Sequence, residues 1–272
     1  KELLSSRILL VQTYYVAGFI NTIIFLLIAP ANVLKYPKYT YLVNFLLGRM
    51  DKLDQVAVNA IPTWFFLMLF FAEILYYFAE KSTFLLIFLS AISFSLRIFV
   101  HEPLPFKIDA AIVAFPFFWI GREWKKNNLK ISVIDFVLAT IGLVLISQVN
   151  GDISWNNQWF GKNGVISFLG EVLAVIVIVF ISDLVKKLKI DFLFLKLSMN
   201  ALFVISYHML LGSFIYIFLS FTGVTVSDVI ELLHKFWYLY LTVDLILVYL
   251  AISYIPSRVK AFLIGDFRRL VR

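Results

Sequence analysis

The stretch Ile61 to Glu80, IPTWFFLMLFFAEILYYFAE, constrains this chain more than any other. It carries one charge in its middle, Glu73, and is close to the ~20 residues a helix needs to cross a bilayer core about 30 Å thick. Lipid offers the backbone no hydrogen-bond partners, so such a segment crosses only as a helix whose bonds stay internal. A carboxylate at that depth must face protein or water, which makes Glu73 a candidate functional residue. Helical periodicity puts Glu73, Tyr76, Tyr77 and Glu80 on one stripe and Trp64, Met68, Phe71 and Leu75 on the apolar side.

The rest of the chain repeats this kind of run. It is 62% hydrophobic and 15% charged, with a mean hydropathy of +0.92, which is the composition of a polytopic membrane protein. The expected fold is an all-α transmembrane helix bundle, a single membrane domain over 1–272. About eight spans are expected, near 8–28, 61–79, 83–100, 108–121, 131–149, 164–181, 192–221 and 236–255. Between 35 and 60 the sequence is too polar to cross and predicts a loop with an interfacial helix. NGDISWNNQWFGKNG is the long polar segment with turn chemistry, and its tryptophans suit a membrane surface. SRVKAFLIGDFRRLVR predicts a basic interfacial tail.

Cysteine is absent, which excludes disulfides, thiolate metal sites and thiol nucleophiles. His101, His208 and His234 are too scattered for a local metal motif, so no metal is expected. The net charge of +7 is spread between apolar spans rather than gathered into a nucleic-acid-binding patch. Counted over alternate loops, sixteen Lys and Arg fall on one side and seven on the other. Positive charge is retained in the cytoplasm, so both termini are expected there, in a multi-pass protein of the plasma membrane. The chain opens on Lys1 and Glu2 with no signal peptide and reads as internal to a longer protein.

His208 shares a stripe with Asn200, Val204 and Tyr207 and is a candidate acid, base or substrate contact; the alternative is a packing hydrogen bond, for example to Asp244. Arg97 and Asp109 lie on adjacent spans joined by a short loop, which predicts an ion pair. Glu171, Glu73 and Asp135 stand at staggered depths, either as a proton path or as the lining of an aqueous cavity. Trp64 is either the floor of such a cavity or part of an interfacial aromatic belt. Arg7 suits a phosphate-bearing donor, or else anchors the helix at the cytoplasmic surface.

Five segments arrive in a characteristic order: SSRILLVQTYYVAGFI, PTWFFLMLFFAEILYY, LPFKIDAAIVAFPFFWIGREWKK, NGDISWNNQWFGKNG and LSMNALFVISYHMLL. Together they resemble the acyltransferase 3 family of integral-membrane acyltransferases over most of the chain. Two departures stand out. Asn200 is followed by Ala201 where the family reads Asn-Ser or Asn-Thr, and of the family's Arg-x-x-Arg pair only Arg7 matches, since position 4 is Leu4.

The resemblance implies an O-acyltransferase that takes an acyl group, commonly acetyl, from cytoplasmic acyl-coenzyme A and places it on an extracytoplasmic cell-envelope carbohydrate. The donor acts as substrate, with no bound cofactor. It further implies that Ile8 to Ile28 corresponds to the family's third span, so that the Arg and His of its first span lie upstream of Lys1, with His208 a weaker catalytic candidate. Arg7, Trp64, Glu73, Arg97, Glu171 and Asn200 are the candidate substrate contacts. A secondary transporter or flippase of a polar solute is the alternative reading of the same composition.

Overall fold

Side-chain oxygens and prolines mark many of the helix starts in the computed structural model, which describes residues 2–28, 36–49, 62–100, 102–220, 235 and 237–271. The long helices are α1 (Glu2–Ile28), α3 (Trp64–Ala79), α4 (Thr83–Phe99), α5 (Ile108–Lys126), α6 (Val133–Asn150), α7 (Gly164–Lys187), α9 (Ala201–Ser220) and α10 (Trp237–Tyr254). Shorter ones are α2 (Lys38–Leu46), α8 (Phe192–Met199), α11 (Ser257–Leu263) and α12 (Arg268–Val271). Ser82 caps α4 by accepting from Leu85 N, and Asn163 caps α7 by accepting from Val165 N and Ile166 N. Pro37 and Pro256 stand at the N-caps of α2 and α11. No sheet forms among the described residues; an isolated bridge joins Ser154 and Trp159.

The chain divides into two compact units, 1–66 with 196–272, and 67–195, the boundary falling within α3. In the first unit, α1 packs against α2, α9 and α11, and α9 packs against α10. Ala17, Phe203, Tyr207, Ile252 and Ile264 form one buried apolar cluster of this unit. The helix expected in the 35–60 segment is present as α2, but it is tied down: Tyr41 and Phe45 are buried, Phe45 stacks on Tyr14, and Tyr14 Oη donates to Phe45 O.

In the second unit α4 packs against α5 and α7, and α6 against α7. Ala79, Leu86 and Phe115 are buried together, and Ser93 Oγ donates to Val113 O at 3.2 Å between α4 and α5. The outer faces of α6 and α7 are left apolar and bare, with Ile134, Leu138, Leu145, Leu169 and Ile178 all exposed. A continuous apolar surface of this kind is unfavourable in water and suits lipid.

By length and composition three described helices can cross a bilayer, within Arg7–Leu27, Val133–Asn150 and Gly164–Lys187. A fourth is added if the bent pair α10 and α11 counts as one span. Helices α3 and α4 are shorter, at 16 and 17 residues. Two sequence expectations change. The span expected over 192–221 is broken at Asn200, whose Nδ2 donates to Lys196 O at 2.9 Å between α8 and α9. The C-terminal segment is more than an interfacial tail, because α11 turns back by 116° from α10 and packs on α1.

The fold-back explains polar residues that hydropathy leaves unaccounted for. A helix end leaves carbonyls without intrahelical donors. Thr13 Oγ1 donates to Ile264 O at 2.8 Å and Tyr207 Oη to Leu263 O at 2.8 Å, so hydroxyls of α1 and α9 meet that need. Gly265, at φ +71°, makes the turn where a Cβ would stand 2.9 Å from Val16 Cγ2 and 3.1 Å from Gln12 O.

Candidate functional site

Arg97 occupies the last turn of α4 and is 2% exposed, so its charge requires a partner within the protein. The partner is Glu171 of α7: Nη1 donates to Oε1 at 3.2 Å and Nη2 to Oε2 at 2.7 Å. Close approach is possible because Gly164, seven residues before Glu171 on α7, lies against the Arg97 backbone; a Cβ there would stand 2.7 Å from Arg97 O. Glu171 Oε1 also accepts from Trp155 Nε1 at 2.9 Å and Ser167 Oγ at 3.1 Å. Four rings surround the guanidinium: Phe160 at 4.7 Å, Trp155 and Phe168 at 5.4 Å each, and Phe117 at 5.9 Å.

The expected Arg97–Asp109 pair is thus replaced by Arg97–Glu171. Asp109 sits at the start of α5, buried, beside Lys107 and the backbone N–H groups of Leu104 and Ala110 rather than beside Arg97. Trp155, expected in an interfacial belt, is folded inward. The 151–163 segment is held over the helix ends by Asn150, whose Nδ2 donates to Phe160 O at 3.0 Å and whose Oδ1 accepts from Asn163 N at 2.8 Å. Lys107 Nζ donates to Asn156 O at 2.7 Å.

In the first unit a cavity of about 190 Å³ opens at the break between α8 and α9. Leu9, Ser198, Asn200, Ser257, Lys260, Asp266 and Arg269 contribute to its lining. Lys260 Nζ donates to Ile252 O at 2.7 Å, while Arg269 Nε pairs with Asp266 at 3.1 Å. A larger, more open groove of about 640 Å³ in the second unit includes Arg122. There the cation faces Glu80 at 3.7 Å and the Tyr76 hydroxyl at 3.2 Å.

His208 lies at mid-length in α9. Its Nδ1 is 3.0 Å from Val204 O and 3.2 Å from Ile205 O, which favours the tautomer with Nδ1 protonated and the lone pair on Nε2. The ring is within electrostatic reach of Asp244 on α10. Nearby in the same unit, Asn21 Nδ2 donates to Ser206 O at 2.7 Å.

Of the residues singled out by sequence, Arg97 and Glu171 come together, and Asn200 meets Lys260 and Arg269 around the cavity. Arg7 lies on α1, two residues before the cavity-lining Leu9, and is half-buried; Trp64 and Glu73 are half-buried on α3. Asp135 leaves the intramembrane group: it closes a capping box with Ser132 at the exposed start of α6. His101 and His234 lie outside the described residues. Sequence reasoning missed Trp155 and Ser167 as partners of Glu171; the i, i+4 spacing of Ser167 and Glu171 was the available signal. No family model, curated protein or solved structure matches the chain.

Proposed function

We propose that this chain forms part of a membrane-bound O-acyltransferase that moves an acyl group, acetyl in the simplest case, from cytoplasmic acyl-coenzyme A to an extracytoplasmic cell-envelope carbohydrate. The observation that carries the reading is the cavity around Asn200, Lys260 and Arg269. It brings cations to the side that the Lys and Arg distribution assigns to the cytoplasm, and a donor's phosphates are recognised by such groups. The order of the sequence segments supplies the reaction class. His208 is the described residue best equipped to exchange a proton with a substrate hydroxyl, through Nε2.

The proposed topology has eight spans with both termini cytoplasmic, α3, α4 and the α8–α9 pair counting among them. The absence of cysteine gives labelling a clean background. Asn157→Cys should react with a membrane-impermeant maleimide in intact cells and Asn127→Cys only after permeabilisation; the reverse pattern would reject the orientation.

The donor cavity makes a second prediction. Lys260→Ala and Arg269→Ala should each raise the KM for acetyl-coenzyme A by about 3- to 10-fold, as expected for loss of one charge-assisted contact. An unchanged KM in both variants would place the donor elsewhere. The transporter reading draws on one observation, the proximity of His208 and Asp244 on adjacent helices, and predicts proton movement coupled to solute uptake.

A further inference from the structure

Glu80, Thr83, Leu86, Trp119, Arg122 and Glu123 help to line the open groove of about 640 Å³ in the second unit. The segment after α3, the start of α4 and the last turns of α5 meet there. One wall is built in advance. Trp124 Nε1 donates to Leu129 O at 2.9 Å and Leu129 N donates to Trp124 O at 3.3 Å, which folds the chain after α5 back beside the indole. Leu86 is buried, and Trp119 packs on the apolar cluster that includes it.

Charges of both signs line this groove and are only partly engaged. Arg122 is oriented through one nitrogen: Nη1 donates to Tyr76 Oη at 3.2 Å and to Glu80 O at 3.3 Å, and lies 3.7 Å from Glu80 Oε2. Its side chain is 46% exposed, and Nη2 and Nε remain to donate outward. The two carboxylates are held loosely. Glu80 stands 3.7 Å from Arg122 and Glu123 3.9 Å from Lys126 Nζ, both longer than the ~2.7–2.9 Å of a charge-assisted hydrogen bond.

Charge and apolar surface together select the occupant. A cation beside two carboxylates matches a zwitterion, whose phosphate takes the guanidinium N–H groups and whose ammonium takes the carboxylates. A simple anion would meet repulsion from Glu80 and Glu123. A soluble phosphoamine would leave the apolar surface unused: Leu129 is 55% exposed at the groove, and Phe84, Leu85 and Phe88 are exposed on the first turns of α4. Such side chains suit lipid chains, and Trp119 and Trp124 suit the level of the headgroups. We infer that the groove binds a phospholipid whose headgroup carries a primary ammonium, with its phosphate on Arg122 and Thr83 and its ammonium between Glu80 and Glu123. Lys81, Lys125, Lys126 and Lys130 are exposed and flank these residues in the sequence. They attract anionic lipid to the surface in general, so the two kinds of binding must be separated. The inference rests on the apolar helices lying in lipid, not on acyl transfer.

The whole protein containing this chain, delipidated in a non-ionic detergent, is titrated with phosphatidylethanolamine, phosphatidylglycerol and phosphatidylcholine of identical chains. Bound lipid is counted by native mass spectrometry. One phosphatidylethanolamine should bind with a preference of about 5-fold or more over each of the others, since phosphatidylglycerol lacks the ammonium and a choline headgroup cannot donate hydrogen bonds. Arg122→Ala should weaken it about 5- to 10-fold. Glu80→Gln with Glu123→Gln should erase the preference over phosphatidylglycerol without weakening phosphatidylglycerol itself, a readout that a purely structural role would not move. Both glutamates are partly exposed, so this variant keeps the test decisive if Arg122→Ala lowers folded yield. Three results would overturn the inference. Equal or tighter binding of phosphatidylglycerol to the unaltered protein would assign the surface to its lysines, equal binding of phosphatidylcholine would exclude the ammonium contact, and an unchanged preference in the variants would place the lipid elsewhere. Any of these would leave the proposed acyl transfer standing.

Discussion

Arg97→Ala is expected to remove about 3–5 kcal/mol of stability, because it strands Glu171 in a largely buried setting. The Glu171 side chain is only 13% exposed. The same substitution takes the cation from under Phe117, Trp155, Phe160 and Phe168 and opens a void among them. Glu171→Ala should cost a similar amount, and the double variant should recover part of the loss, since neither charge is then left alone. Arg97→Lys should rescue poorly, because an ammonium cannot reproduce the two parallel bonds to Oε1 and Oε2. Folded yield by size exclusion and thermal unfolding in detergent measure all four. Additive losses in the double variant would show that the two residues act independently.

Gly265→Val should have the second large effect, about 3 kcal/mol or more. It forces a β-branched residue into φ +71° and drives its Cβ toward Val16 Cγ2 and Gln12 O. The consequence is specific: α11 should lift from α1, and the segment carrying the already exposed Arg268 and Arg269 should lose its helical order and be cut by trypsin before the rest of the chain unfolds. Thr13→Val should act in the same direction but more weakly, about 1–3 kcal/mol, because it leaves the Ile264 carbonyl without its donor. Cleavage of Gly265→Val at the wild-type rate would show that the fold-back does not depend on this turn.

The two effects also mark how far the sequence could be read. Long apolar runs were legible because a bilayer-crossing helix needs little beyond length and hydrophobicity, and the helices at α1, α3 to α7 and α10 lie close to where those runs predict them. The break at Asn200 was not legible, since one polar residue within an apolar run leaves hydropathy almost unchanged. The partner of Arg97 was misjudged for a related reason. Asp109 is near in sequence and Glu171 is 74 residues away, and only the packing of α4 on α7 at Gly164 decides between them. Trp155 obeyed the general preference of tryptophan for interfaces until its indole N–H found Glu171.

The site was legible in its members more than in its pairings. Arg97, Glu171, Asn200 and His208 stood out because polar groups in apolar helices are costly. Asp135 stood out for the same reason but is a helix cap, which the Ser-x-x-Asp spacing of Ser132 and Asp135 foreshadows. Lys107 was hidden in loop sequence, where polarity is ordinary, and its burial arises from tertiary contact.

Transfer of radiolabel from acetyl-coenzyme A to extracytoplasmic carbohydrate, in membranes containing the whole protein of which this chain is proposed to form part, tests the central claim most directly. Label should accumulate above membranes lacking the protein, and His208→Ala should lower the rate by about 10-fold, the cost of losing one strong hydrogen bond to substrate. Absence of transfer above background, together with proton-coupled uptake of a polar solute by the same membranes, would contradict the acyltransferase and establish a transporter.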